Sequence, residues 1–215
     1  MSAVASTPCF DPCCRACPRL AAFLDAVRAE HPDYHCAPVP AFGDPAARLL
    51  VVGLAPGKHG ANASGRPFTG DHAGLLLYRT LHEFGLATAP ESAADDGLEL
   101  RDCRITNAVK CLPPGNKPTG TEIRTCNAFL AAELQRQPPR VAIALGRVAH
   151  DAILRALGLR LREHPFGHGR EHEPAGGPVL IDSYHCSRYN TQTRRLTEDM
   201  FRAVFRRALA RVDTQ

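Results

Sequence analysis

No run of about 18 apolar residues occurs in this 215-residue chain, which leaves no candidate for a membrane-spanning helix. The Met1 end also lacks the basic-then-apolar order of a secretory signal. No internal repeat and no low-complexity tract interrupts the sequence. The Walker pattern is missing too. Three residues separate Gly53 from Gly57, and His59, not Ser or Thr, follows Lys58, so the nucleoside-triphosphate reading fails. No G-x-S-x-G elbow is present, which removes the α/β serine hydrolases. Nor is the cysteine count even. Nine cysteines in a chain without a secretory route argue against a disulfide framework and make metal binding the leading explanation.

What is present describes an ordinary folded protein. With 44% hydrophobic and 22% charged residues, the chain can bury one sizeable core, and residues 1–215 read as a single domain, soluble and intracellular. A net charge of +4 permits an anionic polymer as partner but is weak support for one.

Period and punctuation predict alternating elements. "PRLAAFLDAVRAE" carries Leu20, Phe23, Leu24 and Val27 at helical spacing and ends where His31-Pro32 forbids continuation. "RLLVVG", "CRITNAVKC", "RVAIALG" and "GPVLIDSYH" read as strands. "AGLLLYRTLHEFG", "RVAHDAILRALG" and "TEDMFRAVFRRALARV" read as helices, as does "TGTEIRTCNAFLAAELQRQ", whose Thr119 and Glu122 have capping-box spacing. Strands joined by helical crossovers predict a three-layer α/β/α sandwich around a central four-stranded parallel sheet. The loops after Val52, Ile105, Leu145 and Ile181 then converge beyond the strand ends, where such sheets hold ligands. Residues up to about Thr7 and "HPFGHGREHEPAGG" read as irregular, the latter as a candidate hairpin. Its His164, His168 and His172 recur every four residues, but glycine and proline break any helix there, and the segment reads as a surface loop, not a metal site.

Two features carry chemistry. Cys14 and Cys17 form a C-x-x-C, and Cys111 and Cys126 flank a proline-rich stretch far downstream. Such a quartet suits tetrahedral zinc or an iron–sulfur cluster, and spacing does not separate the two. The plain alternative is four buried thiols in a core. The second feature is the loop from Gly53 to Asp71, facing Asn107 and His185 at neighbouring strand ends. Asn107 can match a pyrimidine edge, and Phe68 offers a face on which an extruded base stacks. Each residue also has a plain duty: Phe68 as core, Asn107 as a strand-end cap, His185 as a satisfied polar group, Asp71 as the cap of a helix starting near His72.

Together, "GLAPGKHGANASGRPFTGDHAG", "ITNAVKCLPPGNKPTGTEIRTC" and "DSYHCSRYNTQTRRLT", with "CRACPRL" near the start, resemble the iron–sulfur uracil-DNA glycosylases of the B type, also called family five. The resemblance runs from about Cys14 to Phe205. It implies the uracil-DNA glycosylase fold and a structural 4Fe-4S cluster on Cys14, Cys17, Cys111 and Cys126. It further implies a base pocket lined by Gly53, Leu54, Ala55, Gly57 and His59, with Phe68 stacking on uracil. Asn107 would pair with the base and His185 would donate to its O2. Ala55 stands where A-type enzymes carry an acidic residue, so the resemblance gives Asp71 the water-activating or cation-stabilising role. The segment bearing Arg188, Tyr189, Asn190 and Arg194, with Arg195, would push into the duplex and meet phosphates. The implied protein is a monomeric, cytoplasmic, nucleoid-associated repair enzyme acting on DNA that contains uracil or other deaminated bases. Rival readings are a zinc-stapled nucleic-acid-binding module without catalysis and an electron carrier.

Overall fold

The computed structural model describes residues 10–214; Cys9 and the stretch up to Thr7 lie outside the described residues. Six strands form one sheet: β1 (Phe42–Gly43), β2 (Leu49–Gly53), β3 (Cys103–Asn107), β4 (Val141–Leu145), β5 (Glu171–His172) and β6 (Val179–Ser183), in the order β1-β3-β2-β4-β6-β5. The inner four are parallel, as the apolar runs predict, and all their residues are buried. The sheet as a whole is mixed, not four-stranded and parallel, because β1 and β5 pair antiparallel on its two edges. Two-residue strands carry no period, so sequence patterning is blind to them. β5 and β6 do make the hairpin expected of the histidine-rich stretch.

The helices are α1 (Pro18–Glu30), α2 (Ala61–Ser64), α3 (His72–Glu83), α4 (Gly120–Arg136), α5 (Arg147–Ala156), α6 (Arg188–Gln192) and α7 (Glu198–Thr214). Because β side chains alternate, each strand feeds two cores. Leu49, Val51, Ile105 and Ile143 meet Leu77, Leu81, Phe201 and Phe205 of α3 and α7 on one face. Leu50, Val52, Ala142 and Leu180 meet Leu130, Leu134, Ala149 and Ile153 of α4 and α5 on the other. The result is the expected three-layer sandwich. Helix α1 lies apart, packing Leu20, Leu24 and Val27 on Val109, Cys111 and Cys126 beyond the strand ends.

Local signals fix the ends of these elements. Gly85, at φ 73°, turns the chain after α3 in the left-handed conformation that glycine adopts freely. At α4 the capping box forms as its spacing predicts: Glu122 N–H donates to Thr119 Oγ1, and Thr119 N–H donates to Glu122 Oε2. The same carboxylate receives Arg19 of α1 through two donors at 2.8 and 2.7 Å. That bidentate pair holds Glu122 down at about pH 2, and it fastens α1 to the start of α4.

Candidate active site

The pocket begins where β2 and β3 end side by side, with Gly53 directly opposite Asn107. A Cβ on Gly53 would lie 2.4 Å from Asn107 Oδ1 and 2.5 Å from the Phe68 ring, so the missing side chain is what lets both groups close over the strand end. Asn107 is buried, and its Oδ1 has no hydrogen-bond partner in the protein. A buried amide oxygen left unpaired costs about 1–3 kcal/mol, which a ligand donor would recover. Phe68 holds a left-handed backbone at φ 61°, a strained conformation of the kind that concentrates at functional sites. The turn persists because Gly74 admits the Phe68 carbonyl, which would lie 1.8 Å from any Cβ there, and because the Tyr78 hydroxyl donates to the Pro67 carbonyl at 2.8 Å.

Asp71 stands before α3 but makes no side-chain cap on it. Its carboxylate turns the other way, accepting from Ala61 N–H at 3.1 Å at the start of α2 and from the Gly57 amide. Gly57 and Gly60 make room for it: a Cβ on either would come within 2.2 Å of an Asp71 carboxyl oxygen. Burial pushes the Asp71 pKa up, and the two amides partly offset that by stabilising the anion. His185 follows β6, its ring 6.1 Å from that of Phe68 with 25° between the planes. Burial holds its pKa down to about 4, so at neutral pH the imidazole is uncharged and carries one N–H donor.

Phe68, Asp71, Asn107 and His185 therefore line one cavity of about 490 Å³, with Leu54, Ala55 and Gly57 in its wall and Arg188 and Tyr189 in its lining. Two expected residues take other places. Gly53 lies behind Phe68 and Asn107, not on the cavity surface. His59 turns away from the cavity and hydrogen-bonds Tyr34 Oη through Nδ1 at 3.0 Å, edge-on to His31. Asn190 acts within the loop, its Nδ2 donating to the His185 carbonyl at 2.8 Å. Arg195 lies over the Tyr184 ring at 4.6 Å, and Arg194 lines a groove next to the cavity.

One network escaped the sequence reading. His172 is buried, not part of a surface loop, and its Nε2 meets Asp182 Oδ2 at 3.1 Å. His150 Nδ1 donates to Asp182 Oδ1 at 2.7 Å, and its Nε2 donates to the His164 carbonyl at 2.8 Å. Two acceptors facing its two nitrogens favour the protonated ring of His150. Burial opposes that charge, yet the Asp182 carboxylate more than offsets it and raises the pKa. Asp182 Oδ2 also receives Gly167 N–H, so the network is closed by internal hydrogen bonds and pins the 164–172 segment to β6 three residues before His185. The available clue was an acid inside the apolar run "VLID", which a buried strand tolerates only with partners.

Cys14, Cys17, Cys111 and Cys126 line a second, smaller cavity with Leu20, Val109 and Phe129. Burial pushes the Cys17 and Cys111 thiols up to about 11 and about 12, and the neighbouring sulfurs push the same way. Thiols raised in this way become thiolates together only when a cation is added. Lys110 N–H donates to Cys126 Sγ at 3.3 Å, the kind of amide contact that steadies a metal-bound sulfur. Four thiolates around one cavity suit tetrahedral zinc or an iron–sulfur cluster alike.

Comparison with known proteins shows the family. Residues 40–209 match the model of the Uracil DNA glycosylase superfamily. The chain is 51% identical over 201 residues to a type-5 uracil-DNA glycosylase of Thermus thermophilus, covering 91% of this chain and 92% of that protein. It is 44% identical to a type-5 uracil-DNA glycosylase of Pyrobaculum aerophilum, covering 92% and 88%. A type-4 uracil-DNA glycosylase of Saccharolobus solfataricus is 30% identical, over 77% of this chain and 74% of that protein. The type-5 proteins are the more similar and match over about nine tenths of this chain: the chain belongs to the type-5 branch of the Uracil DNA glycosylase superfamily.

Proposed function

We propose that this chain hydrolyses the N-glycosidic bond of deoxyuridine in DNA and leaves an abasic site. The observation that carries the reading is the unpartnered, buried Asn107 amide oxygen beside the Phe68 ring, in one cavity with Asp71 and His185. A flat base stacked on Phe68 gains about 1–3 kcal/mol, and its N–H supplies the donor that Asn107 lacks. A base inside a duplex is out of reach, so the nucleotide is turned outward first, with the α6 segment bearing Arg188 and Tyr189 filling the gap.

Cleavage leaves negative charge on the base and positive charge on the sugar. His185, neutral and fixed, donates to the developing oxyanion, and loss of one such donor typically costs about 10²–10³ in rate. Asp71, ionised between two amides, steadies the oxocarbenium-like sugar and orients the attacking water. Arginines of the 188–195 segment meet phosphates, so affinity falls with salt.

The small Ala55 in the cavity wall leaves room for bulkier deaminated or damaged bases such as hypoxanthine and ethenocytosine. One experiment tests both levels: labelled duplexes carrying each lesion are incubated with the protein and then treated with alkali. Strand scission at uracil, hypoxanthine and ethenocytosine is expected. Scission at uracil alone overturns the broad specificity, and none at any lesion overturns the glycosylase reading.

The cysteine quartet, gathered around one cavity, would hold a 4Fe-4S cluster with one thiolate on each iron. Its place is structural: Cys14 and Cys17 precede α1, Cys111 follows β3, and Cys126 lies in α4. Metal analysis of the purified protein is expected to find about four irons and four acid-labile sulfides per chain. One equivalent of zinc without iron would overturn this assignment.

A further inference from the structure

We infer that the groove between α3 and the α6–α7 junction carries the strand flanking the outturned nucleotide, with Leu75 as its apolar contact. This rests on the glycosylase reading above and adds a surface to it. Leu75 is 52% exposed and Tyr189 70% exposed, and they are the two large hydrophobic side chains exposed among the described residues. Scattered exposed leucines are ordinary, but these two stand on either side of one residue, His72. Tyr189 and His72 line the base cavity, while Leu75 and His72 line the adjoining groove of about 540 Å³. The groove is therefore a continuation of the proposed active site.

Its chemistry suits a nucleic-acid strand. Along α3 the neighbours Ala73, Leu76, Leu77 and Leu81 are buried, so Leu75 is an apolar residue on the solvent face, one turn before Arg79. Arg194 lines the same groove, as does Glu198, and among the described residues Arg194 forms no ion pair with a carboxylate. Arg79 has only a long 3.5 Å contact with Glu198, whose other oxygen is taken by Arg202. His72 Nδ1 is buried and has no partner in the protein. Two guanidinium groups beside an apolar side chain suit the phosphates and deoxyribose of one strand, and His72, which lines both the groove and the base cavity, joins the two. Continuity with the base cavity through His72 makes that strand, not a separate protein, the occupant.

The test measures binding of an abasic-site duplex by anisotropy and steady-state cleavage of uracil in single-stranded and duplex oligonucleotides, for the parent, Leu75→Glu and Arg194→Gln. Leu75→Glu is expected to raise Kd and KM about tenfold on both substrates, with the loss in KM exceeding any loss in kcat and Tm unchanged. Arg194→Gln is expected to lower the slope of log Kd against log salt by about 1. Constants within twofold of the parent, or losses confined to duplex DNA, overturn the assignment of this groove to the lesion strand. A parent that cleaves neither substrate overturns the glycosylase reading instead, and the two failures are thus distinct.

Discussion

Replacing Asp71 by Asn is expected to lower the rate of base release about 10²–10⁴-fold, within the range for loss of a positioned acid–base group, while affinity for an abasic-site duplex changes no more than a few-fold. The side chain keeps its size and its place between Gly57, Gly60 and the Ala61 amide, so what disappears is the negative charge. The pH profile supplies a second signature. Burial raises the Asp71 pKa, so in the parent the rate falls, as pH drops, at a pH above the ordinary carboxylate range. His185 stays neutral down to about pH 4. In the Asn variant the limb that belongs to the Asp71 carboxyl should vanish. Equal losses in cleavage and binding, or an unchanged acid limb, would place Asp71 in binding or folding.

The second large effect concerns a residue with no functional group at all. Gly60→Ala is expected to cost about 10² in rate, the scale associated with a misplacement of about 1 Å at a reacting centre. The new Cβ would lie 2.1 Å from Asp71 Cγ, so the carboxylate has to leave its berth between the two glycines. The close approach of the Asp71 carboxylate is the contact that a side chain at this position would break. If Gly60 acts through Asp71, the two substitutions are far from additive, and adding Gly60→Ala to Asp71→Asn should cost little more in rate. Additive losses measured on the double variant would show that Gly60 acts elsewhere.

How much of this was legible in the sequence depends on the range over which each feature is encoded. The inner strands and long helices were, because "RLLVVG" or "RVAIALG" must be buried on both faces and because Thr119 and Glu122 write a helix start into adjacent residues. The gathering of Phe68, Asp71, Asn107 and His185 followed from topology, since parallel strands deliver their loops to one end. Distances within the gathering did not. Nothing local says that Asp71 turns its carboxylate towards α2 in place of capping α3, or that His59 faces Tyr34 and away from the cavity. The glycine and proline around His172 read as surface, whereas its burial is decided by Asp182 on the neighbouring strand. The edge strands and α6 are two to five residues long, below the length at which any period registers.

Those edge strands bear on how the molecule behaves in a crowded solution. A parallel sheet cut off at β3 and β6 would present two rows of unsatisfied amides, each five residues long, to any passing chain. Here each row is met by an antiparallel dipeptide, Phe42–Gly43 on one side and Glu171–His172 on the other. What faces outward beyond them is too short to template another strand, and the sheet resists the edge-to-edge growth through which unprotected β-structure aggregates.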